Sequence, residues 1–343
     1  MSRVLVGMSG GVDSAATALI LKNKGYDVTG VTLKLWGKCD GEDAAEVADA
    51  LDIEHIILDG QELFKKEVQT EFAKSYIKGE TPNPCICCNR GVKFRMLLDM
   101  AKEQGFDFIA TGHYARTEQE NGEFVIKKGT DAKKDQSYVL CRLDRQEICK
   151  ILFPLGIYNK EEIRAIVADA GLSVAKKADS QEICFIPDND YAGFVERFTG
   201  TVPPCGDIVD KEGNVLGRHA GIHRYTIGQR KGLGAFSKPM FVTGINAIDN
   251  TVIIGEKGEE YSDRMTVRDI NILSDAFLKS ELLEVKVRYA APPVKARVIL
   301  KEGGAEVLFE SPCRAITPGQ SAAFYVGDTL AGGGIICGDD RII

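Results

Sequence analysis

The sequence predicts an α/β protein, a doubly wound parallel sheet followed by a small β-rich central domain and a C-terminal β-barrel. Three observations carry this. Between residue 4 and about residue 115, short apolar strands alternate with helical patterns, the signature of a parallel sheet covered on both faces. The first strand runs directly into a glycine turn and a helix. After about residue 198 helical periodicity nearly disappears, and short strands separated by glycine and proline take over. The implied domains are residues 1–198, 199–262 and 263–343.

Taken in order, the first domain should hold strands at residues 4–8, 28–35, 55–58 and 108–111, with helices near 15–24, 43–51, 62–78 and 90–104. Asn121 and Gly122 read as a hairpin turn, because both tolerate the left-handed backbone such turns need. Asn159 followed by Glu162 reads as an N-cap with its reciprocal partner, before a helix that ends at Gly171. The central strands should lie at 206–215, 239–247 and 251–255, and the barrel strands at 284–289, 295–300, 305–309 and 321–326. No internal repeat or low-complexity tract is evident.

The 343 residues, 44% hydrophobic and 27% charged, are ordinary for a water-soluble chain of two or three domains. The first residues enter a strand without a cationic leader or a long apolar run, so the chain is expected in the cytoplasm with no membrane partner; a monomer is the default expectation. Ten cysteines without a secretory leader point to reduced thiols used in chemistry. A net charge of −7 argues against wide nucleic-acid binding, yet cations cluster locally. One group is Lys127, Lys128, Lys133 and Lys134; a second is Arg218, His219, His223, Arg224, Arg230 and Lys231; a third is Lys286, Arg288, Lys295 and Arg297.

The glycine turn spans Gly7, Met8, Ser9, Gly10, Gly11, Val12, Asp13 and Ser14. Glycines let the backbone approach a ligand, while Ser9, Ser14 and the free N–H groups of the helix that follows face a bound anion. It lacks the Gly-Lys-Ser/Thr ending of a Walker loop and the three-glycine dinucleotide fingerprint. It resembles the Ser-Gly-Gly-x-Asp-Ser loop of the PP-loop ATP pyrophosphatases, which cleave ATP between the α and β phosphates and leave AMP on a substrate oxygen. By that resemblance Asp13 would hold Mg²⁺ through ATP.

Two cysteine motifs add a second chemistry. Thr81-Pro82-Asn83-Pro84-Cys85-Ile86-Cys87-Cys88-Asn89 sits between helical segments, and with Asn89 as the cap Cys88 would lie at a helix N-terminus, where the dipole favours a thiolate. The second motif, residues 176–186, carries Cys184 with Lys176 and Lys177 close by. Two such cysteines behind a nucleotide loop suggest sulfur transfer.

These motifs, with Ala110-Thr111-Gly112-His113-Tyr114, Lys134-Asp135-Gln136-Ser137 and the Thr226–Gly234 stretch, resemble the tRNA-specific 2-thiouridylases almost end to end. The resemblance implies ATP-dependent conversion of the wobble uridine, position 34, of tRNA to 2-thiouridine. The uridine O2 would be adenylated, and the sulfur would come from a persulfide loaded by a sulfur-relay protein or cysteine desulfurase. Gly7 to Ser14, Leu33 and Gly112 would hold ATP. Cys184 would carry the persulfide and Cys88 would be the partner nucleophile; either Cys88 attacks the persulfide to free hydrosulfide, or the persulfide attacks directly and Cys88 resolves it, and both routes end in a Cys88–Cys184 disulfide. Asn83, Pro84 and Cys85 would meet the target base of the anticodon stem-loop. His113, Lys134, Asp135, Gln136, Arg288, Tyr289 and Gln320 would contact tRNA, Arg288 with Tyr289 forming a cation and aromatic pair for unstacked bases. Many members carry Asp where this chain has Cys85. Cys85, Cys88 and Cys184 are therefore also a candidate ligand set for a [4Fe–4S] cluster. The other alternative is a PP-loop ligase acting on a small molecule, which uses the loop and leaves the thiols idle. Cys87, Cys141, Cys149, Cys205, Cys313 and Cys337 read as core or surface thiols, and Cys39 is left open.

Overall fold

The computed structural model describes residues 1–37, 41–177 and 183–338. Cys39 and residues 178–182 of the stretch carrying Cys184 lie outside the described residues.

The first sheet contains β1 (Arg3–Gly7), β2 (Asp27–Lys34), β3 (Glu54–Asp59), β4 (Phe108–Ala110) and, after the hairpin β5 (Ala115–Glu120) and β6 (Glu123–Lys128), the short β7 (Ile151–Leu152). The strand order is β3-β2-β1-β4-β7, parallel throughout. Val4, Leu5 and Val6 of the central strand have no exposed surface, as a strand covered on both faces requires. One face is covered by α1 (Val12–Asn23) and α2 (Glu42–Ala50). The chain order reverses between β1 and β4, so the crevice for a ligand opens at their carboxyl ends, where Gly7 and Gly112 lie.

The second helical stretch of the sequence is one continuous run with a change of pitch. It passes from α3 (Gln61–Phe64) through a π turn (Lys65–Thr70) to α4 (Glu71–Ile77). The third starts earlier than its pattern predicts, at α5 (Pro84–Cys88), then widens into a π turn (Asn89–Lys93) before α6 (Phe94–Gln104). Further on, α7 (Lys160–Asp169) has the expected reciprocal cap between Asn159 and Glu162. The Asn121–Gly122 turn is formed with φ of 49° and 85°. The last helix of this part is α8 (Tyr191–Thr199).

The central sheet is β8 (Gly206–Val209), β9 (Val215–His219), β10 (Met240–Asn246) and β11 (Thr251–Glu256), ordered β10-β11-β8-β9 around Val242, Val252 and Ile254. The stretch 206–215 is thus two strands joined by a turn around Asp210, not one strand. The barrel contains β12 (Tyr261–Ile272), β13 (Leu283–Lys286), β14 (Val294–Lys301), β15 (Gly304–Arg314), β16 (Ser321–Val326) and β17 (Thr329–Ile336), closed by the β12–β17 pairing. Neither β12 nor β17 is evident from sequence. β17 reads Thr-Leu-Ala-Gly-Gly-Gly-Ile-Ile, which looks like a loop; its glycines are required because a Cβ at Gly333 would lie 2.7 Å from the Cys141 side chain.

The barrel does not stand apart. β6 pairs with β17, Leu330 opposite Ile126, and the core holding Leu5, Phe94 and Leu97 also contains Ala323, Tyr325 and Leu330.

Candidate active site

The phosphate loop is held by its own hydroxyls. Ser14 Oγ donates to the Gly11 carbonyl at 3.0 Å and accepts from the Ser9 N–H at 3.1 Å, and Gly10 turns with φ of 69°. Gly112 abuts the loop from β4: a Cβ there would stand 3.0 Å from the Asp13 carbonyl carbon, so a side chain would press the loop backbone outward. Leu33 lies near the carboxyl end of β2, two residues beyond Val31, which pairs with Gly7. The loop, Gly112 and the end of β2 therefore share the mouth of the crevice.

Asp13 is engaged twice. Its Oδ1 accepts from Lys160 Nζ at 2.7 Å and from the Tyr114 hydroxyl at 2.8 Å. Lys177 Nζ donates to the Gly10 carbonyl at 3.0 Å and pairs with Asp43. Two lysines thus flank the phosphate loop, each resting on a carboxylate. Sequence reasoning missed Lys160 and Tyr114 because a lysine after a helix cap and a tyrosine after a strand have no distinguishing pattern; Lys177 was visible only as a neighbour of Cys184. A single carboxylate beside a phosphate-binding loop suits Mg²⁺, which takes most of its other ligands from phosphate and water, so Asp13 is the residue that would hold it.

The thiols lie beyond His113. His113 Nδ1 shares a 2.8 Å hydrogen bond with the Thr111 hydroxyl, and its Nε2 lies 3.5 Å from Asn89 Nδ2. Burial, with Lys93 adding to it, drives the imidazole well below its ordinary pKa, so it is neutral. Asn89 is not a cap. It is buried inside the helical run and donates to the Val139 carbonyl at 3.0 Å. The cap is Asn83, whose Oδ1 accepts from the Cys85 and Ile86 N–H groups at 3.1 and 3.2 Å. The first turn therefore holds Pro84 and Cys85, and Cys88 closes α5. This corrects the expectation that the dipole activates Cys88: burial pushes its thiol up to about 11, with Lys93 pulling the other way. Burial also raises the Cys184 thiol, opposed by Lys93 and by the indole N–H of Trp36. Cys184 raises the Cys88 thiol and both feel Cys85, so the three share one neighbourhood. Cys87 feels Cys85 and acts on Cys88 as well, and in addition lies near Arg142, Glu71 and Arg90.

No group of three His, Cys, Asp or Glu side chains positioned to hold a metal ion occurs among the described residues. Cys85, Cys88 and Cys184 therefore do not form a cluster-ligand set here.

The residues expected at tRNA divide into two kinds. Asp135 accepts from Gly129 N–H and from the Ser137 hydroxyl, and Gln136 Oε1 accepts from Tyr114 N–H, so both shape the loop before Tyr138. Arg288 points inward, donating to the Ile227 carbonyl at 2.6 Å and to Thr317. The cation beside Tyr289 is Lys286, 5.6 Å from its ring centroid; the expected pairing of Arg288 with Tyr289 is replaced by this one. Gln320 Nε2 donates to the carbonyls of Thr81 and Pro82 at 2.9 and 3.3 Å. Tyr289 is 42% exposed, and Lys134 sits in the turn before Asp135. Of the basic clusters, Lys127 pairs with Glu118, Glu120 and Asp328, and Arg224 with Glu196, so much of their charge is spent internally.

Family models match nearly the whole chain. Residues 2–188 match the tRNA methyl transferase HUP domain, 192–256 the tRNA methyl transferase PRC-barrel domain, and 262–336 the aminomethyltransferase beta-barrel domain. The chain is 47% identical to tRNA-specific 2-thiouridylase MnmA 2 of Clostridium botulinum, covering 98% of both chains. It is 44% identical to the tRNA-specific 2-thiouridylase MnmA of Acetivibrio thermocellus, covering 97% of this chain and 99% of that one. Among solved structures it is similar to a U34-tRNA thiolase of Methanococcus maripaludis with its [4Fe–4S] cluster, at 20% identity and a TM-score of 0.36 over 57% of this chain and 67% of that one. With a phosphate loop at the switch point, two thiols beside it and three domain matches in order, the chain belongs to the tRNA-specific 2-thiouridylase family.

Proposed function

We propose that this chain converts uridine 34 of tRNA to 2-thiouridine, using ATP to adenylate the uridine O2 and a persulfide on Cys184 as the sulfur source. The observation that carries the reading is continuity from loop to thiol: Gly112 abuts Asp13, the next residue His113 reaches Asn89, and Asn89 adjoins Cys88, which is coupled to Cys184. A small-molecule ligase has no use for that second half. The family models carry methyl transferase in their descriptions, and the thiol pair favours sulfur transfer, the activity in the names of the relatives.

In this reading Gly7 to Ser14, Leu33 and Gly112 hold ATP, and the helix N-terminus with Lys160 and Lys177 faces its phosphates. Mg²⁺, when bound through Asp13, supplies charge neutralisation at the phosphates. Once AMP is on O2, the Cys88 thiolate attacks Sγ of the Cys184 persulfide. The Cys88–Cys184 bond forms, the persulfide S–S bond breaks, and the outer sulfur leaves as hydrosulfide. Hydrosulfide adds to C2, and AMP departs with the C2–O bond pair. A dithiol reductant then reopens the disulfide. Asn83, Pro84 and Cys85 meet the base, while Lys134 and Tyr289 meet the tRNA. The persulfide is loaded by a sulfur-relay protein or cysteine desulfurase. The protein acts as a cytoplasmic monomer.

The test is anaerobic incubation with ATP, Mg²⁺, a persulfide donor and unmodified tRNA, followed by mass spectrometry of the digested nucleosides. Thiolated uridine 34 that disappears in Cys88→Ser supports the reading. ATP cleavage without tRNA, and no thiolation, supports the small-molecule ligase. Thiolation that tracks bound iron restores the cluster.

A further inference from the structure

Cys88 lacks the dipole that sequence reasoning gave it, so its anion needs another source of stabilisation. Among the described residues the group opposing its burial is Lys93. Lys93 is the last residue of the π turn Asn89–Lys93, and Cys88 immediately precedes that turn. In an α-helix residues five apart are separated by about 140° around the axis, since each residue turns about 100°. The wider π turn reduces that separation and swings Lys93 back toward the face carrying Cys88. The π turn thus brings the Lys93 position toward the face of Cys88, in line with the pull of Lys93 on that thiol.

The surroundings leave that ammonium uncompensated. Lys93 is half-buried and has no carboxylate in ion-pair distance among the described residues. The groups it acts on are Cys85, Cys88, Cys184 and His113, three thiols and a neutral imidazole. Trp36 adds an N–H toward Cys184. A half-buried cation near three thiols favours negative charge on one of them, or on a small anion among them.

We propose that Lys93 is the counter-ion of a sulfur-anion site, stabilising the Cys88 thiolate and then holding the hydrosulfide freed from Cys184. The inference rests on the thiolation reading for its biological anion but not for its test. Lys93 moves no proton and forms no bond: it lowers the energy of the thiolate that attacks and of the hydrosulfide that leaves, and it keeps hydrosulfide beside the base.

The test compares alkylation of Cys88 by iodoacetate, an anion, and by iodoacetamide, its neutral analogue, in the resting full-length protein, with the labelled site identified by peptide mass spectrometry. The ratio of the two rates cancels the thiolate fraction and reports the local field. We expect a ratio for Cys88 about tenfold above that of Cys149, which lies away from the cluster, falling toward the Cys149 value in 1 M salt. Lys93→Met should lose the excess, and Lys93→Arg should keep it. A wild-type ratio equal to that of Cys149, or a Lys93→Met ratio equal to wild type, overturns the proposal. The wild-type measurement stands even where Lys93→Met fails to fold. Because no tRNA, ATP or persulfide is present, an absence of 2-thiouridine in the activity assay leaves this result intact, and the two ideas fail separately.

Discussion

Burial and the Lys93 field act on the Cys88 thiol in opposite directions, and burial wins in the resting protein, where the thiol is pushed up to about 11. A thiol raised this far above its ordinary value of 9.0 is almost entirely protonated at neutral pH, with a thiolate fraction about a hundredfold below that of a free cysteine. Iodoacetamide labelling of Cys88 in the absence of tRNA should therefore rise with pH and reach half its maximum near pH 11; a midpoint below pH 9 would show an activated thiol and contradict the geometry. Asp13 gives a second expectation at this scale. Lys160 is only 11% exposed and that carboxylate is one of its partners, so Asp13→Asn removes a charged hydrogen bond from a largely buried lysine and should cost about 1 kcal/mol in urea unfolding while abolishing ATP cleavage. Loss of ATP cleavage with unchanged unfolding would mean that Lys160 finds water or another partner.

At the scale of elements, the cap on α5 sets where Cys85 and Cys88 fall in the helical run. Asn83→Ala removes the acceptor for two N–H groups and should destabilise the protein by about 1 kcal/mol. Asn83→Asp keeps the acceptor and should restore stability; failure of Asp to do so would place the role of Asn83 elsewhere than at the cap. The cap also shows what a sequence can and cannot convey. The phosphate loop, the Asn121–Gly122 turn and the Asn159–Glu162 box were legible because each depends on residues within a few positions of one another. The thiol helix was misplaced by a few residues because both Asn83 and Asn89 are good cap residues, and packing decides between them: Asn89 is buried against Val139 and His113. π turns have no local signature, and with them the placement of Lys93 was hidden. β17 was invisible because its glycines are chosen by what they touch across the fold, Cys141 and Val267, and not by their neighbours in sequence.

The whole molecule brings three sheets to bear on one short loop. Thr81 N–H donates to the Pro318 carbonyl at 2.8 Å, its hydroxyl lies 3.1 Å from that of Thr226 in the central domain, and its carbonyl accepts from Gln320 of the barrel. Arg288 closes the other side, tying Ile227 to Thr317. The segment leading into Asn83, Pro84 and the thiols is thus positioned by two domains that hold none of the phosphate loop. Misplacement of reacting groups by about 1 Å is enough to lower a rate about a hundredfold, so a loosened clamp should show in the chemical step. Gln320→Ala provides the discriminating case. If its side chain serves mainly as the clamp, single-turnover thiolation should slow by tenfold or more while tRNA affinity, read by filter binding, stays within twofold and ATP affinity is unchanged. If Gln320 instead leaves Thr81 and Pro82 to grip tRNA, affinity for tRNA should fall and the rate at saturating tRNA should survive. The same pair of measurements on Arg288→Met, which leaves the Thr81 contacts in place, should give a smaller loss of rate, because the Pro318 and Gln320 bonds still hold the loop.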